Sequence, residues 1–325
     1  MKLRLLALPL VLTVLSLLCA PVLHASGKKL KVAVIPKGTT HVFWKSIHAG
    51  AVKAGRELDV EIIWQGPHKE DDRKMQIEVV QNFVARQVDA IVLAPLDEVA
   101  LVRPVKSAIK RNVPVVVIDS DLRYDKQSSF VATDNVQGGK MAGKRLAKVM
   151  GGKGKALMLR YAEGSASTMK REQGFLEGLK EHGPNIELVS TNQYGGVTAE
   201  SAFQAAQNLL NRFSTIDGIF CPNESTTFGM LRALKTSGKA GKVKFVGFDS
   251  SEPLVNGLRA GEIHGLTVQN PFKMGYLGVK AAVAAVRGEP VEKRIDTGIV
   301  MVTGENIDQP DIKAVLSPDL DTWLK

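Results

Sequence analysis

Cysteine is almost missing from this chain: its 325 residues hold two, Cys19 and Cys221. Cys19 lies in an apolar N-terminal stretch that reads as a leader, so the remaining chain has one thiol and no intrachain disulfide, and its core must hold the fold. Histidine is sparse too. The five beyond the leader are dispersed, with no HxxxH or CxxC arrangement, which excludes the usual zinc spacings and implies neither metal nor cofactor. Blocks of like charge are also lacking. The formal charge is +10 and falls to +8 once Lys2 and Arg4 leave with the leader. The basic residues are scattered, in pairs such as Lys28–Lys29 and Lys170–Arg171, which describes a solvated surface and not a nucleic-acid footprint.

Enzyme signatures fail on inspection. "GGKMAGKR" matches a phosphate loop at Gly138, Gly143 and Lys144, but Arg145 stands where Ser or Thr should hold Mg²⁺, and the stretch reads as helix. "GGKGK" at 151–155 joins a helix to a strand, the reverse of a dinucleotide-binding turn. No GxSxG elbow is present. An exported carbohydrate hydrolase would need an acid and a base, for which Asp119 and Asp249 are the available pair. Nothing in the sequence argues positively for catalysis.

The leader itself, "MKLRLLALPLVLTVLSLLCAPVLHAS", has a basic start, an apolar stretch from Leu5 to Cys19 and a small residue at Ala25. It reads as a secretory signal over residues 1–25, because Pro9 and Pro21 bracket a stretch shorter than the roughly 20 apolar residues of a membrane span. The expected location is periplasmic or otherwise extracytoplasmic.

From residue 30, short β-branched runs alternate with helical patterns. "LKVAVIP", "VEIIW", "DAIVLAP" and "VPVVVID" are separated by helices over about 43–58, 75–86 and 101–110. Continuous apolar runs bounded by Pro, Gly and Asp fit strands buried on both faces, and the alternation implies a parallel sheet. After "SSFVATDN" the pattern restarts, with "KALMLRY", "IELVS", "DGIFCPN" and "VKFVGFD" between helices over 138–150, 170–181, 199–212 and about 227–237. The halves share wording: "QNFVARQVDAIVLAP" parallels "QNLLNRFSTIDGIFCPN", and "VPVVVIDSD" parallels "VKFVGFDSS". Two matches in the same order predict two lobes of similar topology. The remaining strand, helix and strand, through "HGLTVQNPFKMG" and "RIDTGIVMV", are too little for a third domain. They return to complete the two sheets, so each lobe is discontinuous and the crossings form a hinge.

Ligands of open parallel sheets bind outside the carboxyl ends of the strands. The residues there taken as binding candidates are Lys37 and His41 with the pair Phe43–Trp44, then Asp97, Asp119 and Ser120, Arg171, Asn223, Asp249 and Gln269; Thr39, Ser165, Glu224 and Asn270 are further polar residues at strand ends. Carboxylates accept from hydroxyls, amides donate and accept, a guanidinium donates a planar fork, and an aromatic offers a plate to the flat face of a ring. The set suits a sugar or polyol. Each residue has an ordinary alternative: Asp119 and Asp249 as helix caps, Arg171 in a surface ion pair, Asn223 in a turn, and one of Phe43 and Trp44 in the core.

The ordered run "VAVIP", "FW", "VVVIDSD", "ATDNVQGGKMAG", "KREQGF", "NLL", "IFCPNE", "GMLRALKTSGKAG", "VGFDSS" and "VQNPFKMG" resembles the periplasmic sugar-binding proteins of ABC importers, ribose-binding type, whose ligand domains are shared with lac-repressor-like regulators. The resemblance spans about residues 30–300. It implies two Rossmann-like lobes with parallel sheets, joined by a three-crossing hinge near Thr133–Asp134, Gln269–Asn270 and Thr297–Gly298. The lobes would be 30–133 with 270–297, and 134–269 with 298–325. It further implies a monosaccharide in the cleft, stacking by Phe43 and Trp44, hydroxyl binding by Asp119, Asp249, Arg171, Asn223 and Gln269, a monomer, and an ABC permease as partner. Departures at His41, where the family has an amide, at Ala94, where ribose binders have Asn, and at Ser120, where they have Arg, argue against ribose itself. "IPK" and "IDSD" also resemble the autoinducer-binding branch, with its Lys at Lys37, which leaves a furanosyl or ketose-like ligand open, and with it a sensory role through a chemoreceptor or sensor kinase. A transcriptional regulator is disfavoured because no helix-turn-helix precedes residue 30.

Overall fold

A computed structural model describes residues 29–325; the expected secretory signal lies outside the described residues. The four apolar runs of the first half form β1 (Lys31–Ile35), β2 (Glu61–Trp64), β3 (Ala90–Leu93) and β4 (Val115–Ile118), followed by β5 (Ser129–Ala132). Between them lie α1 (Val42–Leu58), α2 (Arg73–Ala85) and α3 (Val102–Lys110). The second half repeats the scheme with β6 (Lys153–Arg160), β7 (Asn185–Tyr194), β8 (Gly218–Phe220), β9 (Lys244–Phe248) and β10 (Gly265–Gln269). Its helices are α4 (Asn135–Met150), α5 (Ala166–His182), α6 (Ala199–Arg212), α7 (Glu224–Thr236) and α8 (Glu252–Arg259). The chain closes with α9 (Pro271–Val286), β11 (Arg294–Asp296), β12 (Ile299–Val302), α10 (Pro310–Leu316) and α11 (Asp321–Leu324).

The strands form two six-stranded sheets, ordered β2-β1-β3-β4-β5-β11 and β7-β6-β8-β9-β10-β12. Position for position the two orders are the same. All pairings are parallel except β10 with β12, which is antiparallel. The central strands are buried on both faces, as in β3 and β4, which explains their unbroken Val, Ile and Leu runs.

The chain changes lobes between β5 and α4, because α4 packs on β8, β9 and β10. It returns between β10 and α9, since α9 packs on β3 and β4, and crosses again between β11 and β12. Those passages fall at 133–134, at 270 and at 297–298. "RIDTGIVMV", expected as one strand, is therefore two, one in each sheet. Gly298 at φ 82 makes the break, with its N–H donating to Asp296 Oδ1 at 3.1 Å. A fourth passage follows: Ile312 of α10 is buried in the second lobe's core, while α11 lies on α1 of the first. Helices α8, α10 and α11 are additional to those expected from the sequence pattern, and α4, α5 and α7 begin about a turn earlier than that pattern predicts.

Two helix pairs seat the functional loops. On α4 a Cβ at Gly139 would stand 2.1 Å from the Arg171 carbonyl oxygen, and on α5 one at Gly174 would stand 2.0 Å from that of Val136. "GGKMAGKR", weighed above as a phosphate loop, is thus a helix seam. The first lobe repeats the arrangement, with Gly50 of α1 against the Phe272 carbonyl and Gly275 of α9 against that of Ile47.

Candidate functional site

The carboxyl ends of both sheets face one narrow gap between the lobes, enclosing about 380 Å³ of empty space with its mouth included. From the first lobe come Lys37, His41, Phe43, Trp44 and Asp119; from the second come Arg171, Asn223, Asp249 and Gln269. Nine of the eleven residues singled out for binding from sequence therefore line one cavity. The other two do not reach it. Asp97 turns Oδ1 onto the backbone N–H groups of Val99 and Ala100, both at 2.9 Å, and pairs Oδ2 with Arg73 at 3.1 Å. Its side chain caps its own turn, as a short acidic side chain in a strand-end loop readily does. Ser120 is buried against the opposite lobe, where its hydroxyl accepts the Ser167 N–H at 3.0 Å.

Asp119 and Asp249 occupy equivalent places after β4 and β9. Both adopt the left-handed conformation, with φ 61 and φ 67, while their N–H groups still bond to the neighbouring strands at Val131 and Thr267. Neither caps a helix as an N-cap residue. Asp249 accepts from Gln269 Nε2 at 2.6 Å and from the Glu224 N–H at 3.1 Å. Burial pushes its carboxyl above the ordinary value, and Arg171 and Gln269 pull against that.

Arg171 is no surface residue. It is 2% exposed, with Nε donating to Asn135 Oδ1 at 2.7 Å and Nη1 to the Pro222 carbonyl at 3.1 Å. Its guanidinium stands 4.1 Å from the Phe248 ring centroid and within 4.0 Å of both aspartates. Asn223 combines two functions, because its Oδ1 caps α7 at the Thr226 N–H, 3.3 Å away, and the residue also lines the cavity.

The adjacent aromatics divide their tasks. Trp44 is 3% exposed and packs in the first lobe's core, yet one edge reaches the cavity; Phe43 is half-buried and meets it edge to face, with centroids 5.0 Å apart. Lys37 is buried and donates to Ser165 and Ser167 across the gap at 3.3 and 3.1 Å. It forms an ion pair with Asp119 Oδ2 at 3.0 Å, though that buried oxygen has no hydrogen bond. Gln269 Oε1 is buried and unpartnered, its amide orientation being fixed by the bond from Nε2 to Asp249.

Of the other lining residues, Ser165 and Glu224 were noted at strand ends but not taken as binding candidates, while Glu70, Tyr161, Ser167, Thr168 and Ser225 were not singled out. Glu70, in the loop after β2, accepts from Trp44 Nε1 at 2.7 Å and from the Tyr161 hydroxyl at 2.8 Å. Glu224 reaches across to His41 Nδ1 at 3.0 Å, and Ser165, Ser167, Thr168 and Ser225 complete the wall. The strand-end rule applied to β2 as it was to the other strands would have found Glu70. Burial alone would lower the His41 pKa, but the hydrogen bond with Glu224 and the charges of Glu70, Glu224 and Asp249 raise it above the ordinary value. In the cavity wall four carboxylates, Glu70, Asp119, Glu224 and Asp249, face two fixed cations, Lys37 and Arg171. Among the described residues no group of His, Cys, Asp and Glu is arranged to hold a metal ion.

A family profile described as "periplasmic binding protein domain" matches residues 32–290. Among curated proteins, the D-ribose/D-allose-binding protein of Pseudomonas aeruginosa is 28% identical over 318 residues, covering 94% of this chain and 98% of its own. The ribose import binding protein of Escherichia coli is 27% identical over 271 residues, covering 83% of this chain and 90% of its own. A carbohydrate transporter solute-binding protein from Agrobacterium radiobacter, solved with D-arabinose, superposes with a TM-score of 0.86 at 35% identity, covering 90% of this chain and all of that one. An ABC transporter solute-binding protein from Agrobacterium vitis with bound D-fucose superposes at 0.85 and 37% identity, covering 88% and 100%.

Proposed function

The chain belongs to the periplasmic binding protein family, and from that premise we propose that it captures one neutral monosaccharide or related polyol between its lobes and presents the closed form to an ABC-type importer. The observation that carries this reading is the buried acceptor Gln269 Oε1, which has no hydrogen-bond partner, beside Asp119 Oδ2, which is met only by the Lys37 ion pair, in the wall of the cavity. A buried acceptor without a donor is costly, and a ring of ligand hydroxyls supplies the donors. Trp44 and Phe43 offer apolar surface to the ring, and Arg171 is held in place by Asn135 and Pro222 before any ligand arrives.

The net charge of the wall selects against anions. Four carboxylates against two fixed cations leave a negative cavity, and protonated His41 reduces that charge without reversing it. A sugar acid or sugar phosphate would be repelled in a site screened from water. Titration calorimetry against D-arabinose, D-fucose, D-allose, D-ribose, D-tagatose, xylitol, D-galacturonate and ribose 5-phosphate tests this. Heat from at least one neutral compound is expected, with both anions binding at least ten times more weakly. Tight binding of an amino acid, or preference for an anion, overturns the ligand class.

We further read the site as binding without catalysis, since the family is one of solute-binding proteins and Asp119 and Asp249 are both engaged by neighbouring side chains. The lobes are taken as 30–133 with 270–297 and 134–269 with 298–316, hinged at Thr133–Asp134, Gln269–Asn270 and Thr297–Gly298; the second lobe stops short of the expected 325 because α11 lies on α1 of the first. At that hinge Thr133 Oγ1 meets Thr297 Oγ1 at 3.4 Å, and Asp134 and Asn270 cap α4 and α9. The protein acts as an exported monomer. A chemoreceptor or sensor kinase reading the same closed form is the alternative partner, separated from a permease by co-purification.

A further inference from the structure

We infer that Glu70 is a positioning residue that couples the aromatic wall of the cavity to closure of the lobes, with Tyr161 as its counterpart on the opposite lobe. The inference rests on the cleft reading above and deepens it. The two oxygens of one carboxylate serve different lobes. Oε1 accepts from Trp44 Nε1 at 2.7 Å, within its own lobe, and Oε2 accepts from the Tyr161 hydroxyl at 2.8 Å, at the end of β6 in the other. The first bond holds the indole that lines the cavity. The second exists only while the lobes are together.

The chemistry explains why an acid stands here. Indole N–H can only donate, and the Tyr161 phenol is kept protonated because burial, reinforced by the charge of Glu70, raises its pKa well above the ordinary value. Two donors converging on one side chain need two acceptor atoms. A carboxylate supplies both, whereas Gln supplies one and turns an NH₂ group toward the other donor. His41 stands 3.6 Å from Oε1 and pairs with Glu224 of the second lobe, so the chain of contacts runs from lobe to lobe through the mouth of the cavity. Separating the lobes breaks the bond between Tyr161 and Glu70, so that bond weights the balance toward the closed form.

Tyr161→Phe removes the bond between lobes and leaves Trp44 tied to Glu70; Glu70→Gln disrupts the junction itself. X-ray scattering of the ligand-free proteins and calorimetry with the tightest neutral compound from the panel read the two effects, with melting curves to verify folding. Both single variants are expected to enlarge the ligand-free radius of gyration or raise Kd about ten-fold, and the double variant to lose no more than the worse single one. Unchanged radius and unchanged Kd in Tyr161→Phe overturn the proposal, as do losses that simply add in the double variant. Should no panel compound bind the unmodified protein, the sugar reading fails, while the scattering comparison alone still decides the latch.

Discussion

At the scale of single residues, the site depends on backbone conformations and protonation states that side-chain chemistry alone does not announce. Asp119 and Asp249 lie in the left-handed region at the same point of the two halves, and non-glycine residues held there concentrate at functional sites. His41 adds a pH dependence. Its partner Glu224 belongs to the other lobe, so part of what raises its pKa is present only in the closed form. The contribution of protonated His41 to closure is therefore complete below its ordinary value of about 6.5 and is lost as pH rises through the raised value. Ligand affinity measured from about pH 5.5 to about pH 8.5 is expected to fall across that interval. His41→Asn should flatten the profile while leaving a folded protein. An unchanged slope in that variant removes His41 from closure.

At the scale of elements, the seam between α4 and α5 sets where Arg171 stands. Gly139 packs directly on the backbone of the helical turn that carries it, with no flexible side-chain end to give way. Gly139→Ala must therefore push the helices apart, at a cost of about 1–3 kcal/mol or more by analogy with overpacked cores. A lower melting temperature is expected together with weaker ligand binding, since Arg171 moves with α5. Gly304→Ala is the control, because a Cβ there meets nothing within 4 Å, and its melting temperature should not change measurably. The same elements explain why helix starts were placed late. The first turns of α4, α5 and α7, "NVQG", "ASTM" and "ESTT", carry polar and small residues turned to the site or the hinge, and they lack the apolar periodicity that marks the rest of each helix.

At the scale of the whole molecule, closure is held by contacts in the cavity and by the C-terminal segment. In the cavity Lys37, His41 and Glu70, and outside it Ser120, bond directly to the second lobe. On another side, the segment running from α10 to α11 straps the second lobe to α1. Arg56 donates to the Thr322 and Trp323 carbonyls at 3.1 and 3.3 Å, and Lys53 and Arg56 lie 5.4 Å from the Trp323 ring centroid. Deleting residues 318–325 should let the ligand-free lobes open further in X-ray scattering. Kd should weaken by only a few-fold, because exposed contacts of this kind contribute about 1 kcal/mol or less. A radius of gyration identical to that of the full chain would show the strap to be slack.

The repeated two-lobe α/β architecture was readable without coordinates, because buried strands and amphipathic helices are written in local runs of side chains, and the two halves use the same runs in the same order. Local runs also located most of the cavity wall, since a loop after a parallel strand lies at a known end of its sheet. Which of those loops look into the gap was decided only by tertiary structure. Glu70 meets Tyr161 across 91 residues and His41 meets Glu224 across 183, while Asp97 spends its carboxylate on its own turn. Pairings at such separations depend on how two independently folded sheets are set against each other, and no neighbouring stretch of sequence carries that orientation.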